Sequence, residues 1–176
     1  MMAIREIIYL PDPRLRKKSI PVERFDSHLQ TLIDDMFETM YAARGVGLAA
    51  PQIGINLRLS VVDVVGDKKQ QFVLVNPEIE FLSEHVTFTE GCLSVPGVYD
   101  EVKRAQRVRL KALDRNAKPY TVEAEGLLAE CFQHEVDHLN GKLFIDLLSM
   151  LKRTLARKKL EKFKREHPLK PNTRTS

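Results

Sequence analysis

Histidine occurs five times in the 176-residue chain, and two of those five share one short stretch, Phe132-Gln133-His134-Glu135-Val136-Asp137-His138-Leu139. The stretch carries the pattern H-E-x-x-H. On a helix, His134 and His138 lie one turn apart on the same face, about 6 Å along the axis. Two imidazole nitrogens at that spacing can converge on one metal ion at about 2 Å each. Glu135 is rotated by about 100° from His134. It leaves the ligand face but still reaches a water on the ion, where a general base is needed. The residue types and spacing point to metal-assisted hydrolysis.

Two histidines leave such a site short of a ligand. An extension of the H-E-x-x-H-x-x-G-x-x-H kind runs as far as Gly141 and then meets Phe144 where a third histidine belongs. A downstream glutamate is no better, since only Glu161 and Glu166 follow Asp146, both in a basic tail. Two soft ligands remain. Cys92 lies in Thr89-Glu90-Gly91-Cys92-Leu93-Ser94-Val95-Pro96-Gly97, and Cys131 lies one turn before His134. Three ligands from one helix would crowd one side of the ion. Geometry therefore favours Cys92, with Cys131 as the rival thiol and otherwise a buried apolar residue.

The elements that must position these residues follow from hydrophobic spacing. From Asp26 or Ser27, Leu29, Leu32, Ile33, Met36, Phe37 and Met40 recur at helical intervals, and Gly45 offers a stop. Residues 57–65 and 72–75 read as strands, Ile79 to Phe88 continues extended, and Val108, Leu110 and Ala112 alternate with basic residues. The segment from Asp114 to Pro119 turns the chain back into Tyr120-Thr121-Val122. The metal helix is predicted from about 125 to 139, with Asn140-Gly141 as its end. Leu127, Cys131, His134 and His138 share its ligand face. Leu128, Ala129, Phe132, Val136 and Leu139 form a second apolar face, leaving Glu130, Gln133 and Asp137 as a narrow polar stripe. A helix this apolar is buried on most sides. A last helix covers about 147–165, with Leu148, Leu151, Leu155, Leu160 and Phe163 available for packing.

Strands bracketed by helices, without strand–helix alternation, predict an α+β fold. Antiparallel sheets should wrap a central buried metal-binding helix, flanked by an N-terminal helix and a basic C-terminal one. Residues 1–166 read as one catalytic domain and 167–176 as a frayed tail.

Composition sets the remaining bounds. With 43% hydrophobic and 30% charged residues the chain can bury a real core. Residues 1–25 lack an apolar targeting run, no stretch approaches a membrane span, and two cysteines suit a cytoplasmic setting. The net charge of +4 conceals a tail, residues 151–176, carrying ten Lys/Arg against two glutamates. That tail reads either as a solvated helix or as a phosphate-seeking footprint for ribosomal RNA.

The stretch Gly45-Val46-Gly47-Leu48-Ala49-Ala50-Pro51-Gln52-Ile53-Gly54 lacks the Gly-Lys-Ser/Thr ending of a phosphate loop and precedes strands. It reads as tight backbone that lets another chain approach, finishing at the Gln52 amide. Taken with Glu90-Gly91-Cys92-Leu93-Ser94 and Gln133-His134-Glu135-Val136-Asp137-His138, it resembles, in order, the three motifs of the peptide deformylase family. The chain between them is similar throughout, and the basic final helix resembles the bacterial form.

This resemblance implies Cys92, His134 and His138 as ligands of one divalent metal ion, Fe2+, with Zn2+, Ni2+ or Co2+ as substitutes. It implies Glu135 as acid/base, with Gln52 and the Leu93 N–H as oxyanion donors. The activity implied is removal of formate from N-formylmethionyl nascent peptides in the bacterial cytoplasm, by a monomer that needs no membrane. Backbone at Gly45, Val46 and Gly47 would pair with the peptide as an added strand. Leu127, Cys131 and Phe88 would line a pocket for the methionine thioether. Glu130, just off the ligand face, is expected to turn along the polar stripe toward solvent. Two rivals share parts of this pattern: an endopeptidase with a Cys-His-His site, and an RNA-binding module around a closed structural metal.

Overall fold

Helix α1 (Ser27–Ala42) begins where the sequence places it, because the Asp26 carboxylate accepts the Leu29 N–H at 3.0 Å and satisfies one free amide of the first turn. The structure, a computed structural model, describes residues 3–168. Leu29, Leu32, Ile33, Met36, Phe37 and Met40 form the buried stripe of α1. Its C-terminus closes one residue before the expected glycine. Arg44, at φ 58°, donates to the Tyr41 carbonyl at 3.0 Å, and Gly45 donates to Met40 at 2.9 Å, a Schellman arrangement. The small size of Gly45 serves a different purpose. A Cβ there would stand 2.7 Å from Leu93 Cδ1, so the glycine admits the turn that carries Cys92.

Among the described residues, seven strands form two antiparallel sheets. The larger has the order β1 (Gly47–Ala49), β2 (Leu59–Val62), β3 (Phe72–Phe81), β6 (Arg107–Leu113), β7 (Pro119–Glu125). The smaller is a hairpin of β4 (His85–Cys92) and β5 (Val95–Ala105). Strand β3 continues past Val75, where the sequence reading broke it, because a bulge between Val75 and Glu78 absorbs Asn76 and Pro77. Proline has no N–H for the ladder, and a bulge is where a strand tolerates it.

Helix α2 (Leu127–Leu139) packs against β1, β2, β3, β5, β6 and β7, which bears out the central buried helix and the α+β class. The polar stripe of α2 is not what the sequence suggested, since Glu130 and Gln133 are both buried. Gln133 accepts the Ala105 N–H at 2.9 Å and donates to the Ala105 carbonyl at 2.8 Å. Its amide completes the hydrogen bonding of the end of β5, so burial leaves no unpaired group there.

Helix α3 (Met150–Glu166) is capped by Ser149, which accepts the Lys152 N–H at 3.2 Å. Ala156 and Leu160 are buried, but Leu151 and Leu155, expected to pack, are 70% and 45% exposed. At 100° per residue, Ala156, Leu160 and Phe163 fall on one stripe, and the two leucines lie well round from it. The frayed tail expected over 167–176 lies mostly outside the described residues. No helix among the described residues is long and apolar enough to cross a membrane.

Candidate active site

The site forms where the end of β4 meets the middle of α2. A register break between Gly91 and Cys92, ahead of the tight turn to Val95, re-aims the cysteine out of the hairpin. Its Sγ lies 3.3 Å from His138 Nε2, which in turn lies 3.0 Å from His134 Nε2. The three ligand atoms all fall within 4.8 Å of one another. Tetrahedral coordination with bonds of about 2.0–2.3 Å places ligand atoms roughly 3.3–3.7 Å apart. The donor set, one thiol and two imidazoles from separate elements, fits one borderline-soft divalent ion. Cys131, the rival thiol, instead directs its Sγ at the Val46 carbonyl, 3.7 Å away, and burial raises its pKa well above the ordinary thiol value.

A second layer fixes the histidines. His134 Nδ1 bonds the Glu90 carboxylate, which leaves Nε2 facing Cys92 and His138. Glu90 also receives Arg104 Nε at 3.1 Å and a terminal guanidinium nitrogen at 2.7 Å, and Arg104 reaches Asp137 at 2.5 Å. Burial tends to raise the Glu90 pKa, but His134 and Arg104 outweigh it and hold the carboxyl below its usual range. The guanidinium pKa is driven up by the two carboxylates despite its own burial. Burial and the neighbouring His134 hold His138 well below the ordinary imidazole value. For His134 burial acts the same way, but Cys92 and Glu90 reverse it and drive the pKa up. A thiol and a carboxylate that favour a proton at that spot also favour a metal cation.

Glu135 stands beside this cluster. Its Oε1 is buried with no hydrogen-bond partner, and burial, opposed by His134, pushes its pKa up to about 7. That value describes the ion-free site, and a dication held by the three ligands would favour the charged carboxylate, the form that accepts a proton. Gln52 comes from the 3-10 turn Ala50–Ile53, and its Oε1 accepts the Ala49 N–H at 2.9 Å. The amide is thereby oriented, and its Nε2 points at Ser94 Oγ, 3.2 Å away, and at Cys92 Sγ, 3.6 Å away. Leu93 adjoins Cys92 in the same turn.

Gln52, Cys92, Leu93, His134 and Glu135 line a cavity of about 510 Å³ that also takes in Gly45, Val46, Gly47, Leu127 and Cys131. Strand β1 is an edge strand. The Val46 carbonyl accepts the Asp63 N–H at 2.9 Å, so alternation turns the Gly47 backbone groups toward the free edge. A Cβ at Gly47 would collide with Glu135 Oε2 and stand 2.9 Å from Cys131 Sγ. Gly47→Ala is therefore expected to lower kcat/KM about tenfold or more, with bound metal unchanged. Steady-state kinetics beside metal analysis check this, and equal kinetics would show that the close approach is idle.

Two expectations need correction. Phe88 does not line the cavity. It shares the face of Glu90 on β4 but sits two residues, about 7 Å, farther from the cysteine end. Glu130 does not turn to solvent. It is 6% exposed and lines the cavity, and burial together with Glu90 raises its pKa to about 7. The sequence reading also missed Glu90, Arg104 and Asp137 as supports, and Tyr99 and Phe163 as walls. Glu90 stands two residues before Cys92, but the Gly91–Cys92 register break interrupts the alternation that would have aimed the two together, so it too lacked a local signal.

Comparison with known proteins agrees with this geometry. Residues 4–154 match the family model described as polypeptide deformylase. A peptide deformylase of Azotobacter vinelandii is 57% identical over 94% of this chain and 99% of its own length. One of Pseudomonas aeruginosa is also 57% identical, with the same coverage of both chains. A peptide deformylase crystal structure from Legionella pneumophila superposes with a TM-score of 0.93 at 67% identity, covering 96% of this chain and 100% of that one. A second, from Ehrlichia chaffeensis in complex with actinonin, gives a TM-score of 0.87 at 40% identity over 96% of this chain and 100% of that one. The match of motif, fold and nearly full length leaves one assignment: this chain belongs to the polypeptide deformylase family.

Proposed function

We propose that the protein is a metal-dependent hydrolase that removes the formyl group, as formate, from N-formylmethionyl nascent peptides. The observation that carries this reading is the convergence of Cys92 Sγ and two imidazole nitrogens beside the unpartnered Glu135 carboxyl, in a cavity bordered by a free strand edge. Neither an endopeptidase nor an RNA-binding module has support among the relatives, whose names are peptide deformylase.

Cys92, His134 and His138 would hold one divalent ion, which when bound supplies Lewis acidity and acidifies a water toward neutrality. Glu135 takes a proton from the attacking water and delivers one to the amine nitrogen as the formyl C–N bond breaks. The products, formate and a free peptide amine, balance that transfer. Gln52 Nε2 and the Leu93 N–H are the donors assigned to the oxygen that gains charge, each worth about 3 kcal/mol of barrier. The outward-facing backbone of Gly47, with Gly45 and Val46 beside it, would read the peptide main chain, and Leu127 and Cys131 face its first side chain. Glu130 places a carboxyl in the same cavity, so the first side chain meets a partly polar wall.

We assign Fe2+ as the ion, with Zn2+, Ni2+ or Co2+ able to replace it. The thiolate ligand lowers the effective charge of the site relative to three neutral imidazoles. Residues 1–166 form one catalytic domain in this reading, acting as a monomer in the bacterial cytoplasm. The basic face of α3 is assigned to ribosomal RNA, an association that salt-dependent co-sedimentation with ribosomes measures. Formate release from formyl-Met peptides by anaerobically purified protein, with metal content determined on the same sample, tests the central reading. Absence of formate from a fully loaded sample would overturn it.

A further inference from the structure

Helix α3 does more than carry charge, because one of its side chains forms part of the catalytic cavity. Phe163 lines the same cavity as Cys92 and Glu135. It arrives from the C-terminal helix, far from the motifs in sequence. Leu160 and Ala156, on the same stripe, are buried, and Lys164 Nζ donates to the Leu10 carbonyl at 2.6 Å. The helix is thus seated on both sides of Phe163.

The Phe163 ring lies on Gly97, at φ 79°, where an added Cβ would stand 2.7 Å from Cδ2. A second ring is received in the same way. Tyr99 lies over Gly91, where a Cβ would stand 2.5 Å from Cε1, and Tyr99 is 69% exposed. Two glycines of the β4–β5 hairpin therefore each accept an aromatic ring, and both rings line the cavity. The pocket for the first side chain is served by α2 residues, so these rings flank a different part of the same space. His167 stacks on one face of the Phe163 ring, centroids 4.3 Å apart. The rest of that ring and the exposed Tyr99 ring are therefore the aromatic surface an extended peptide would meet, and such surface favours apolar and aromatic side chains.

We propose that Phe163, with Tyr99 opposite the hairpin turn, is a specificity-determining residue that holds an apolar side chain downstream of the formylated residue. The inference rests on the deformylase reading of this site, and it commits to the peptide itself as occupant because the ring wall is continuous with the catalytic cavity. Helix α3 then serves recognition of longer peptides, independently of its charge.

The test compares wild type with Phe163→Ala and Phe163→Leu on formyl-Met-Ala, formyl-Met-Ala-Ser and formyl-Met-Ala-Phe. Wild type should favour the phenylalanine tripeptide over the serine one. Phe163→Ala should erase most of that preference, by about tenfold through KM, so that the phenylalanine tripeptide loses far more than the serine tripeptide or formyl-Met-Ala. Phe163→Leu keeps apolar bulk against Gly97 and helix docking, so it should retain part of the preference at an unchanged melting temperature. Equal changes on all three substrates, or none, would overturn the inference. Wild type failing on formyl-Met-Ala itself would instead strike the deformylase reading.

Discussion

Glu135→Gln is expected to lower kcat for formyl-Met peptides by about 10²–10⁴-fold, with full metal content retained. The glutamine keeps the shape of the side chain but cannot accept the proton of the attacking water. Because Glu135 is not one of the three converging ligands, loss of turnover should not track loss of the ion. A second consequence has the opposite sign. The carboxyl pKa is pushed up to about 7 by burial, against an ordinary value of 4.5. Between those values the folded chain binds a proton that the unfolded chain has released, so this group destabilises progressively as pH rises and does so fully above about 7. In ion-stripped protein, Glu135→Gln should then melt higher than wild type at pH 8, and the two should converge near pH 4. Activity within threefold of wild type, on a sample of confirmed metal content, would remove Glu135 from its assigned role.

Arg104→Leu should cost stability on the scale of 3–5 kcal/mol, the usual result of removing one partner from a buried ion pair. Arg104 and Glu90 have side chains that are each 5% exposed, so solvent cannot replace the lost charge. Asp137, at 25%, is partly hydrated and suffers less. The change should also release Glu90 from its fixed geometry and so loosen the orientation of His134. Loss of such an outer partner lowers metal affinity by about 10–100-fold. Urea unfolding and competitive chelation read the two effects separately. The double variant Arg104→Leu with Glu90→Gln should recover part of the stability but not the metal affinity, since no charge is then stranded. If Arg104→Leu unfolds like wild type, the buried network is not what holds the hairpin to α2.

The chemistry was legible because it rests on local spacing. H-E-x-x-H fixes two ligands and a base on one helix by period alone, and α1 and α2 were readable for the same reason. The thiol needed elimination and then a resemblance, because the Gly91–Cys92 bulge that aims it has no unambiguous sequence mark. Glu130 was misread because helical period gives the angle of a side chain and not what packs there. Its direction faces cavity and not solvent. Arg104 and Phe163 were invisible for a related reason, since each reaches the site only through tertiary contacts across 14 or more residues of chain.

The free edge of β1 also bears on how the protein avoids aggregation. An unpaired strand usually invites copies of itself, and the result is fibre growth. Here the strand spans three residues and opens into a walled recess. The paired strands of a folded neighbour are poorly shaped to enter such a recess, whereas a nascent chain arrives as a single extended segment. Once that guest departs, the edge returns to its starting condition, and the sheet has gained nothing on which a polymer could build.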